Sequence, residues 1–389
     1  MSRTNRRWQA GGTDRPLRIA MIGTRGVPAT FGGIEVHVEK LGARLVERGH
    51  EVTVYCRKNY VEHPQPTFKG MHLRHLPTVD SKHFDAITHS ALSAVDALVR
   101  HYDIVHFHAL GPGLVAPLPR YLSGAKVVQT IHGLDDERAK WGRVARVALR
   151  TAGWMSARVP DATIVVAEGL VAKYEERHAM TPIHIPNGVD PPTVRPALGD
   201  LGARLGISAG DYALFVGRLV PEKAPDVLIE AFKRYRGSGR LVIAGGSSFT
   251  DGFAERLNQL AAEDPRVVMA GYVYGDDLAA LYTNARTFVL PSLLEGLPLT
   301  LLEAASYATP VVTSDIPPHV EVLRNEGPGR RLCPPGDPAA LALALERSAA
   351  DPAAERAGAA TLRDDVMVRY AWGEVTTKTE QLYRSLLSR

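Results

Sequence analysis

The stretch at residues 17–56, LRIAMIGTRGVPATFGGIEVHVEKLGARLVERGHEVTVYC, decides the fold class of this chain. Residues 17–22 are a short apolar run, as expected of a buried strand. After a glycine-bearing loop, four apolar residues mark one face of a helix: Ile34, Val38, Leu41 and Leu45. Gly49 ends this helix, and residues 51–56 form the next apolar run. A strand, a helix and a second strand in this order predict parallel α/β architecture.

The same alternation continues along the chain and then restarts. Further strands are predicted at residues 104–107, 126–131, 162–166 and 183–185 in the first half, and at 212–216, 241–243, 267–269, 287–290 and 311–313 in the second. Prolines cluster at 191–198, between the two series. We therefore predict two doubly wound, Rossmann-like domains facing across a cleft, with binding loops at the carboxyl ends of their strands.

The sequence divides into five predicted parts. They are a disordered basic tail at 1–16, an N-terminal domain at 17–190, a hinge at 191–198, a C-terminal domain at 199–368 and a C-terminal helix within 369–389. No run reaches the roughly 18 apolar residues of a membrane-spanning helix, and the basic tail has no apolar region of the secretory type behind it. Cys56 and Cys333 lie far apart and suggest neither a disulfide framework nor a zinc site. A cytoplasmic location is the resulting expectation.

Charge is distributed unevenly between the two halves. Residues 1–195 hold 26 lysines and arginines against 18 acids, while residues 196–389 hold 20 against 24. A basic N-terminal half suits an anionic partner such as a membrane surface, a phospholipid-linked acceptor or a nucleic acid. An ordinary solvated surface explains the same charge equally well.

The stretch at 291–310, PSLLEGLPLTLLEAASYATP, is the most informative about chemistry. A strand ends before it, a loop presents Glu295, and Pro298 suits the first turn of a helix. The N–H groups around Leu297, Leu299 and Thr300 would then point out of a helix start, where a diphosphate is stabilised. Glu303, one to two turns further, can accept hydrogen bonds from the vicinal hydroxyls of a ribose. The two glutamates are about 12 Å apart along a helix, too far for the carboxylate pair of a retaining glycosidase.

Two cations follow a strand of the second half in the stretch at 215–232, FVGRLVPEKAPDVLIEAF. Arg218 and Lys223 flank a turn and can converge on one diphosphate, where they would stabilise the charge of a leaving group. The alternative is a surface pair that contacts Glu222 and Asp226.

Two stretches of the N-terminal half also follow predicted strands. Gly32 and Gly33 open the first helix, so the backbone there can approach a phosphate or sugar closely, although the glycine spacing is not the dinucleotide fingerprint. His132, in TIHG at 130–133, can bond a sugar hydroxyl or be a satisfied core histidine. His106 and His108, with His132, could form a metal site. No D-x-D pair occurs in the sequence, and we expect no metal ligands.

With these segments in hand, the sequence resembles the GT-B glycosyltransferases of the large retaining family four, and most closely their bacterial rhamnosyltransferase-like branch. The resemblance runs from about residue 17 to the C-terminal helix. Four motifs carry it: EGLPLTLLEA at 295–304, GRLVPEK at 217–223, IPNGVD at 185–190 and TIHG at 130–133.

The resemblance implies a transferase that moves a sugar from a nucleoside-diphosphate sugar to a saccharide or lipid-linked acceptor. The N-terminal domain would be the acceptor side and the C-terminal domain would bind the donor nucleotide. No metal ion, other cofactor or nucleic acid is implied, and the anomeric configuration would be retained. The setting would be cell-envelope or extracellular polysaccharide synthesis.

The resemblance also implies roles for individual residues. Glu303 would bind the ribose and Glu295 the donor sugar, while Arg218 and Lys223 would bind the diphosphate. The donor-binding set is completed by Gly32, Gly33, Gly217, Gly296, Leu297, Leu299 and Thr300. His132 would touch the transferred sugar, and the catalytic set would be His132, Arg218, Lys223 and Glu295.

Three positions depart from the family pattern. The family often has glycine at the positions of Ala224 and Ala308, and this branch often has an aromatic residue at the position of Asp136. The first two departures affect local packing, and the third puts the identity of the acceptor in doubt.

The segment at 138–158 interleaves basic and apolar residues, including Trp141 and Trp154. This pattern is typical of a helix in an anionic membrane interface, or of a packed helix with a solvated basic face. A peripheral position on the inner face of the membrane is therefore one hypothesis. The alternatives to a transferase are a catalytically silent sugar-nucleotide-binding partner protein and a GT-B sugar-nucleotide epimerase.

Overall fold

The computed structural model describes residues 15–30, 32–60, 64–79, 85–133, 143–246 and 251–388. The chain forms two compact units, the first made of Met1–Asn187 with Trp372–Arg389 and the second of Gly188–Ala371. We call them unit 1 and unit 2. Residues 1–14 of the basic tail predicted at 1–16 lie outside the described residues.

Unit 1 begins with strands and helices in alternation. Its elements before the junction are β1 (Arg18–Ile22), α1 (Gly33–Glu47), β2 (Glu51–Arg57), β3 (Thr67–Phe68), β4 (Met71–Leu76), α2 (Asp85–Leu98), β5 (Ile104–His108), a 3₁₀ turn (Gly111–Val115), α3 (Pro117–Leu122), β6 (Lys126–Ile131), α4 (Arg143–Ser156), β7 (Ala162–Val165), α5 (Glu168–His178) and β8 (Ile183–His184). The strand order is β3-β4-β2-β1-β5-β6-β7-β8, and every pair is parallel except β3 with β4.

Unit 2 repeats the plan with a smaller sheet. Its elements are α6 (Gly199–Leu205), β9 (Tyr212–Val216), a 3₁₀ turn (Pro221–Lys223), α7 (Pro225–Arg234), β10 (Arg240–Ala244), α8 (Asp251–Ala262), β11 (Val267–Gly271), α9 (Gly275–Asn284), β12 (Thr287–Leu290), α10 (Leu299–Ser306), β13 (Val311–Ser314), α11 (Pro317–Leu323), β14 (Arg330–Cys333), α12 (Pro338–Ala350) and α13 (Pro352–Arg369). The strand order is β11-β10-β9-β12-β13-β14, all parallel. The predicted α/β fold with two doubly wound sheets is confirmed.

The last helix, α14 (Trp372–Leu387), belongs to unit 1. Trp372, Leu382 and Tyr383 are buried in the same apolar cluster as Val38 and Leu41 of α1. The sequence predicts this helix at 372–387 but not where it packs. Because it closes the core of unit 1, unit 2 is a continuous segment inserted between two parts of unit 1.

The first helix follows its predicted face. Val38, Leu41 and Leu45 are buried, Ile34 packs at the edge of the core, and Gly49 takes a left-handed φ of 88° just after the helix ends. Among the described residues, no helix combines the length and apolar character needed to cross a bilayer.

Candidate active site

Two loops of unit 2 meet at the carboxyl ends of β9 and β12. The first contains the 3₁₀ turn Pro221–Lys223, and the second is the stretch at 291–298 that precedes α10. The Leu293 N–H donates to the Glu222 carbonyl at 2.8 Å, which ties the loops together. Lys223 Nζ lies 2.6 Å from Glu295 Oε1, and the two side chains are only 14% and 11% exposed. The structure therefore brings the two most informative predicted stretches together through a largely buried ion pair.

The Glu295 carboxylate is kept in its charged form by two partners that contact the same oxygen. Burial favours its neutral form, but the Lys223 ammonium and the Ser292 hydroxyl, which donates to Oε1 at 2.7 Å, hold the pKa of Glu295 below its ordinary value. Both contacts use Oε1. The fixed carboxylate thus has a second oxygen that can accept from a ligand hydroxyl.

His319 is a neighbour of this pair that the sequence interpretation missed. It lies on α11 with no exposed surface, and its Nδ1 is 2.9 Å from the Ser314 carbonyl. Burial lowers the pKa of His319 to about 4, although Glu295 opposes the shift. The ring is therefore neutral near pH 7, and its buried Nε2 has no hydrogen-bond partner among the described residues.

The predicted helix is present as α10, but Pro298, which was predicted in its first turn, is its N-cap, and the helix begins at Leu299. N–H groups in the first turn of an α-helix have no acceptor within the helix, so this start is suited to an anion. The Thr300 hydroxyl adds a buried oxygen that has no hydrogen-bond partner among the described residues. Further along the helix, Tyr282 donates to Glu303 Oε2 at 3.0 Å and so orients that carboxylate. Burial and the adjacent carboxylate raise the pKa of Tyr282 well above its ordinary value.

A glycine packs closely in the loop after β9, and a glycine is required in the loop after β10. A Cβ on Gly217 would lie 3.3 Å from Phe215 and 3.6 Å from the Lys223 side chain, and a Cβ on Gly245 would collide with the Gly217 carbonyl. Gly217 is a predicted donor-binding residue, while Gly245 was missed although two glycines directly after a buried strand are a visible signal. Arg218, half-buried, follows in the same loop.

At the carboxyl edge of the unit 1 sheet, His132 is one of several histidines. The ring of His37, on α1, lies edge-on to His132 with centroids 4.7 Å apart, and His108 Nδ1 is 3.3 Å from His132 Nε2. His37 Nδ1 is 3.0 Å from the Asn187 side-chain oxygen. We call His37, His108 and His132 the histidine cluster. His37 was not singled out in the sequence, because it lies within a helix, and Asn187 was quoted only as part of the IPNGVD motif, without a role of its own.

These imidazoles are held neutral. Burial lowers the pKa of His37 to about 4 and that of neighbouring His106 to about 3. Burial, reinforced by adjacent imidazoles, takes the pKa values of His108 and His132 well below their ordinary range. His106 uses both ring nitrogens, at 2.6 Å from the Tyr383 hydroxyl and 2.7 Å from the Thr130 hydroxyl. His106 is thus a core histidine with a hydrogen-bond partner at each ring nitrogen.

Gly32 caps the start of α1 with a φ of 103°. A Cβ at this position would also collide with the Glu35 carboxylate, which accepts from the Arg25 N–H at 3.2 Å. Local geometry alone therefore requires glycine at 32. Gly33, the first helical residue, is exposed.

The predicted interfacial segment is only partly described, since residues 138–142, with Trp141, lie outside the described residues, as does Asp136. Helix α4 buries Leu149 and Ala152, while Val147 and Trp154 are 63% and 52% exposed. The Arg158 guanidinium stacks over the Trp154 ring at 5.0 Å. The helix therefore has both a packed face and an exposed face of mixed basic and apolar character.

Family models match most of the chain. Residues 31–192 match "Glycosyltransferase Family 4", and residues 210–351 match "Glycosyl transferases group 1". The D-inositol 3-phosphate glycosyltransferase of Kineococcus radiotolerans is 31% identical over 91% of this chain and 90% of its own length.

Solved structures share the fold. A sucrose-phosphate synthase from Thermosynechococcus elongatus has a TM-score of 0.82 at 24% identity and covers 95% of this chain and 99% of its own. Anabaena HepE, solved in complex with UDP-glucose, has a TM-score of 0.79 at 16% identity over 95% of this chain and all of its own. The fold is GT-B. This chain belongs to the group 1, family 4 glycosyltransferases.

Proposed function

We propose that this protein transfers a sugar from a nucleoside-diphosphate sugar to a saccharide or lipid-linked acceptor, with retention of configuration and without a metal ion at the diphosphate. Family membership supports the reaction type. The observation that carries the proposal is the buried Lys223–Glu295 pair beside the start of α10. A cation and a helix start next to each other supply the positive charge that a departing diphosphate needs.

Each contact in unit 2 has a proposed role. Lys223 and Arg218, with the backbone at 217 and 296–300, bind the diphosphate. Glu303, oriented by Tyr282, accepts from the ribose hydroxyls. Glu295 Oε2 accepts from a hydroxyl of the donor sugar.

Neutral groups are proposed for the donor contacts of unit 1. His132 meets the transferred sugar, and Gly32 and Gly33 approach the donor through their backbone. A neutral imidazole can donate one hydrogen bond and accept another, which suits a sugar hydroxyl.

We propose attack on the face from which the diphosphate leaves. The acceptor oxygen forms a bond to the anomeric carbon as the bond from that carbon to the phosphate oxygen breaks. The acceptor proton passes to an oxygen of the departing diphosphate. Lys223 and Ser292 both contact Oε1 of Glu295, so this carboxylate is fixed as a group that binds the donor rather than as a nucleophile. This supports a mechanism without a covalent sugar–enzyme intermediate.

The decisive experiment incubates the purified chain with a panel of nucleoside-diphosphate sugars and simple acceptors, in magnesium and in EDTA. We expect one donor to raise the thermal midpoint and to be consumed equally in both buffers, with the product anomer matching the donor by NMR. Binding without transfer would instead indicate a silent partner protein. Conversion of the donor without an acceptor would indicate an epimerase.

We also propose a class of donor sugar and a biosynthetic setting. The resemblance to the rhamnosyltransferase-like branch favours a hexosyl or deoxyhexosyl donor and a role in cell-envelope or extracellular polysaccharide synthesis. Activated rhamnose and glucose belong in the donor panel for this reason, and transfer from neither would argue against the branch.

An anionic membrane is the proposed surface partner of α4. Its exposed Val147 and Trp154, with Arg158 against the ring, fit an interface that holds anionic lipid. Flotation with vesicles of phosphatidylglycerol and phosphatidylcholine at low salt should recover the wild type and lose Trp154→Glu. Tyr121→Glu is the matched control, because Tyr121 is 66% exposed and Arg120 stacks over its ring at 5.6 Å. Failure of the wild type to float would end this proposal.

A further inference from the structure

Three buried residues of unit 2 form a chain of hydrogen bonds that ends on Glu295. Ser292 lies in the loop after β12, Ser314 ends β13 and His319 lies on α11, and none of the three has exposed surface. His319 Nδ1 is 2.9 Å from the Ser314 carbonyl oxygen and 3.1 Å from the Ser314 hydroxyl. The Ser314 hydroxyl is 2.5 Å from the Ser292 carbonyl oxygen, and the Ser292 hydroxyl is 2.7 Å from Glu295 Oε1. The chain therefore links α11 and β13 to the loop that carries Glu295.

The direction of each hydrogen bond in this chain is fixed. A carbonyl oxygen can only accept, so the proton of the neutral His319 ring lies on Nδ1 and Nε2 keeps a lone pair. For the same reason the Ser314 hydroxyl donates to the Ser292 carbonyl and can accept from the His319 N–H. An ionised carboxylate also only accepts, so the Ser292 hydroxyl donates to Glu295. Every proton of the chain thus points from His319 towards Glu295.

The chain bears on the orientation of the Glu295 carboxylate. Lys223 is a point charge on a flexible stem, so it attracts Oε1 without fixing the plane of the carboxylate. The Ser292 hydroxyl is a short, directional donor, and the loop that carries it is tied to β13 through the Ser314 hydroxyl. The direction in which Oε2 faces therefore depends on Ser292, and the position of Ser292 depends on the groups behind it.

We propose that His319 is a positioning residue: through the two serines it fixes the Glu295 carboxylate and so sets the selectivity for the donor sugar. The inference rests on the proposed function, in which Glu295 Oε2 accepts from a hydroxyl of that sugar. His319 acts only through other residues, because its Nε2 is buried and has no hydrogen-bond partner among the described residues. A buried nitrogen without a partner lowers stability, and a role in the site accounts for its presence.

The test separates the sugar from the nucleotide. Calorimetry gives the Kd of UDP-glucose and of UDP, and of dTDP-rhamnose and of dTDP, for the wild type and each variant. In His319→Leu the Kd of the sugar nucleotide should rise about tenfold, because the hydrogen bonds that orient a charged carboxylate are weakened. The Kd of the nucleoside diphosphate should change less than about twofold, because it has no sugar for Glu295 to bind. His319→Asn, which keeps an N–H near the position of Nδ1, should return the Kd of the sugar nucleotide to within about threefold of the wild type.

A neighbouring hydroxyl provides the control. Thr313→Val is the matched variant, because Thr313 is also buried and its hydroxyl has no hydrogen-bond partner in the part of the chain that the structure describes. It should leave both Kd values unchanged, whereas Ser314→Ala should behave as His319→Leu does. Circular dichroism checks that each variant is folded. An equal rise of both Kd values in His319→Leu would indicate a structural role alone and overturn the inference, as would a wild-type Kd for the sugar nucleotide in folded His319→Leu.

A measurement without nucleotide keeps the inference separate from the proposed function. Nitrogen NMR of the imidazoles at pH 7, with His319 identified by the loss of its signal in His319→Asn, should show a neutral ring protonated at Nδ1. A ring protonated at Nε2 would break the chain of donors and overturn the inference whatever the protein transfers. The expected ring in a wild type that binds neither sugar nucleotide would instead count against the proposed function and, with it, the role in donor selection.

Discussion

The carboxyl edges of the two sheets differ in charge: the edge of unit 2 carries an ion pair, and the edge of unit 1 carries neutral imidazoles. In unit 2, Lys223 and Glu295 form an ion pair at 2.6 Å, and only 14% and 11% of the two side chains are exposed. In unit 1, burial holds the imidazoles of the histidine cluster neutral, because no acid among the described residues compensates them and adjacent imidazoles disfavour a positive charge on His108 and His132. The same arrangement of parallel strands can therefore present either fixed charge or neutral hydrogen-bonding groups, according to whether a buried partner of opposite charge is present.

Among these variants, Lys223→Met should have the largest effect on both transfer and stability. We expect transfer to fall by about 10³-fold, because the diphosphate loses a buried cation. The free energy of unfolding should also fall by about 3 kcal/mol, since Glu295 is left buried without its partner. Steady-state kinetics and urea denaturation measure the two effects.

Two companion variants separate charge from packing. Lys233→Met is the matched control, because Lys233 pairs with Glu230 and Glu263 at the surface, and it should cost less than about 1 kcal/mol. The double variant Lys223→Met/Glu295→Gln should recover most of the lost stability and none of the transfer. Wild-type transfer rates in Lys223→Met would refute the proposed diphosphate site.

As the pH is lowered, the stability of unit 1 should fall at a higher pH than the stability of unit 2. The pKa values of His37, about 4, and His106, about 3, lie below the ordinary value near 6.5. As the pH falls below 6.5, histidines of the unfolded chain bind protons, whereas the histidines of the folded cluster stay neutral. The free energy of unfolding therefore falls towards pH 4. Glu295 has a lowered pKa, so its contribution persists until more acidic pH.

The measurement is hydrogen exchange of the two units between pH 7 and 4.5, corrected for intrinsic rates. Protection of β5 and β6 should fall first, and His106→Gln should flatten the decline. His319 acts with the same sign in unit 2. Among the described residues of unit 1, seven histidines have a lowered pKa: His37, His50, His89, His106, His108, His132 and His184. A uniform loss of protection in both units would contradict the comparison.

Glu303→Gln should have a smaller effect, confined to donor binding. The amide keeps an acceptor but loses the charge that strengthens hydrogen bonds to the ribose, so the KM for the donor should rise about tenfold with a smaller change in kcat. Glu326→Gln, which breaks only a surface pair with Arg347 at 3.1 Å, is the control. A fall in kcat at constant KM would assign Glu303 to the chemical step instead.

The smallest effect concerns backbone conformation at the charged edge. Ala224, after Lys223, and Ala308, after α10, take left-handed φ values of 49° and 57°, whereas unit 1 places glycine at the start of α1. Ala308→Gly should stabilise the protein by about 0.5–1 kcal/mol. Ala224→Gly should gain less, because its methyl group is buried. Thermal denaturation measures both, and Ala231→Gly within α7 is the destabilising control.

The sequence predicted the parts of the fold that carry strong local patterns. The strands at 126–131, 212–216 and 287–290 and the helix at 372–387 have the predicted bounds. It missed β4, which contains two histidines and one arginine and lies near a sheet edge. It also missed β14, which contains two arginines and lies at a sheet edge, and alternation with apolar residues is weak in both strands.

The candidate site was predictable where its residues follow a strand directly. Lys223 and Glu295 lie in such loops, and the structure pairs them. His319 and Tyr282 lie on helices and act through tertiary contacts with the predicted glutamates, so no local pattern distinguishes them. The same holds for His37, which meets His132 only after α1 has packed on the sheet.

The insertion of unit 2 within unit 1 has a consequence for biosynthesis. A ribosome releases all of Gly188–Ala371 before it releases α14, whose Trp372 and Tyr383 complete the core of unit 1. The later segment can therefore reach its native state while the earlier one still exposes the apolar surface that awaits α14. A nascent chain stalled before residue 372 is the form of this protein that a chaperone should recognise.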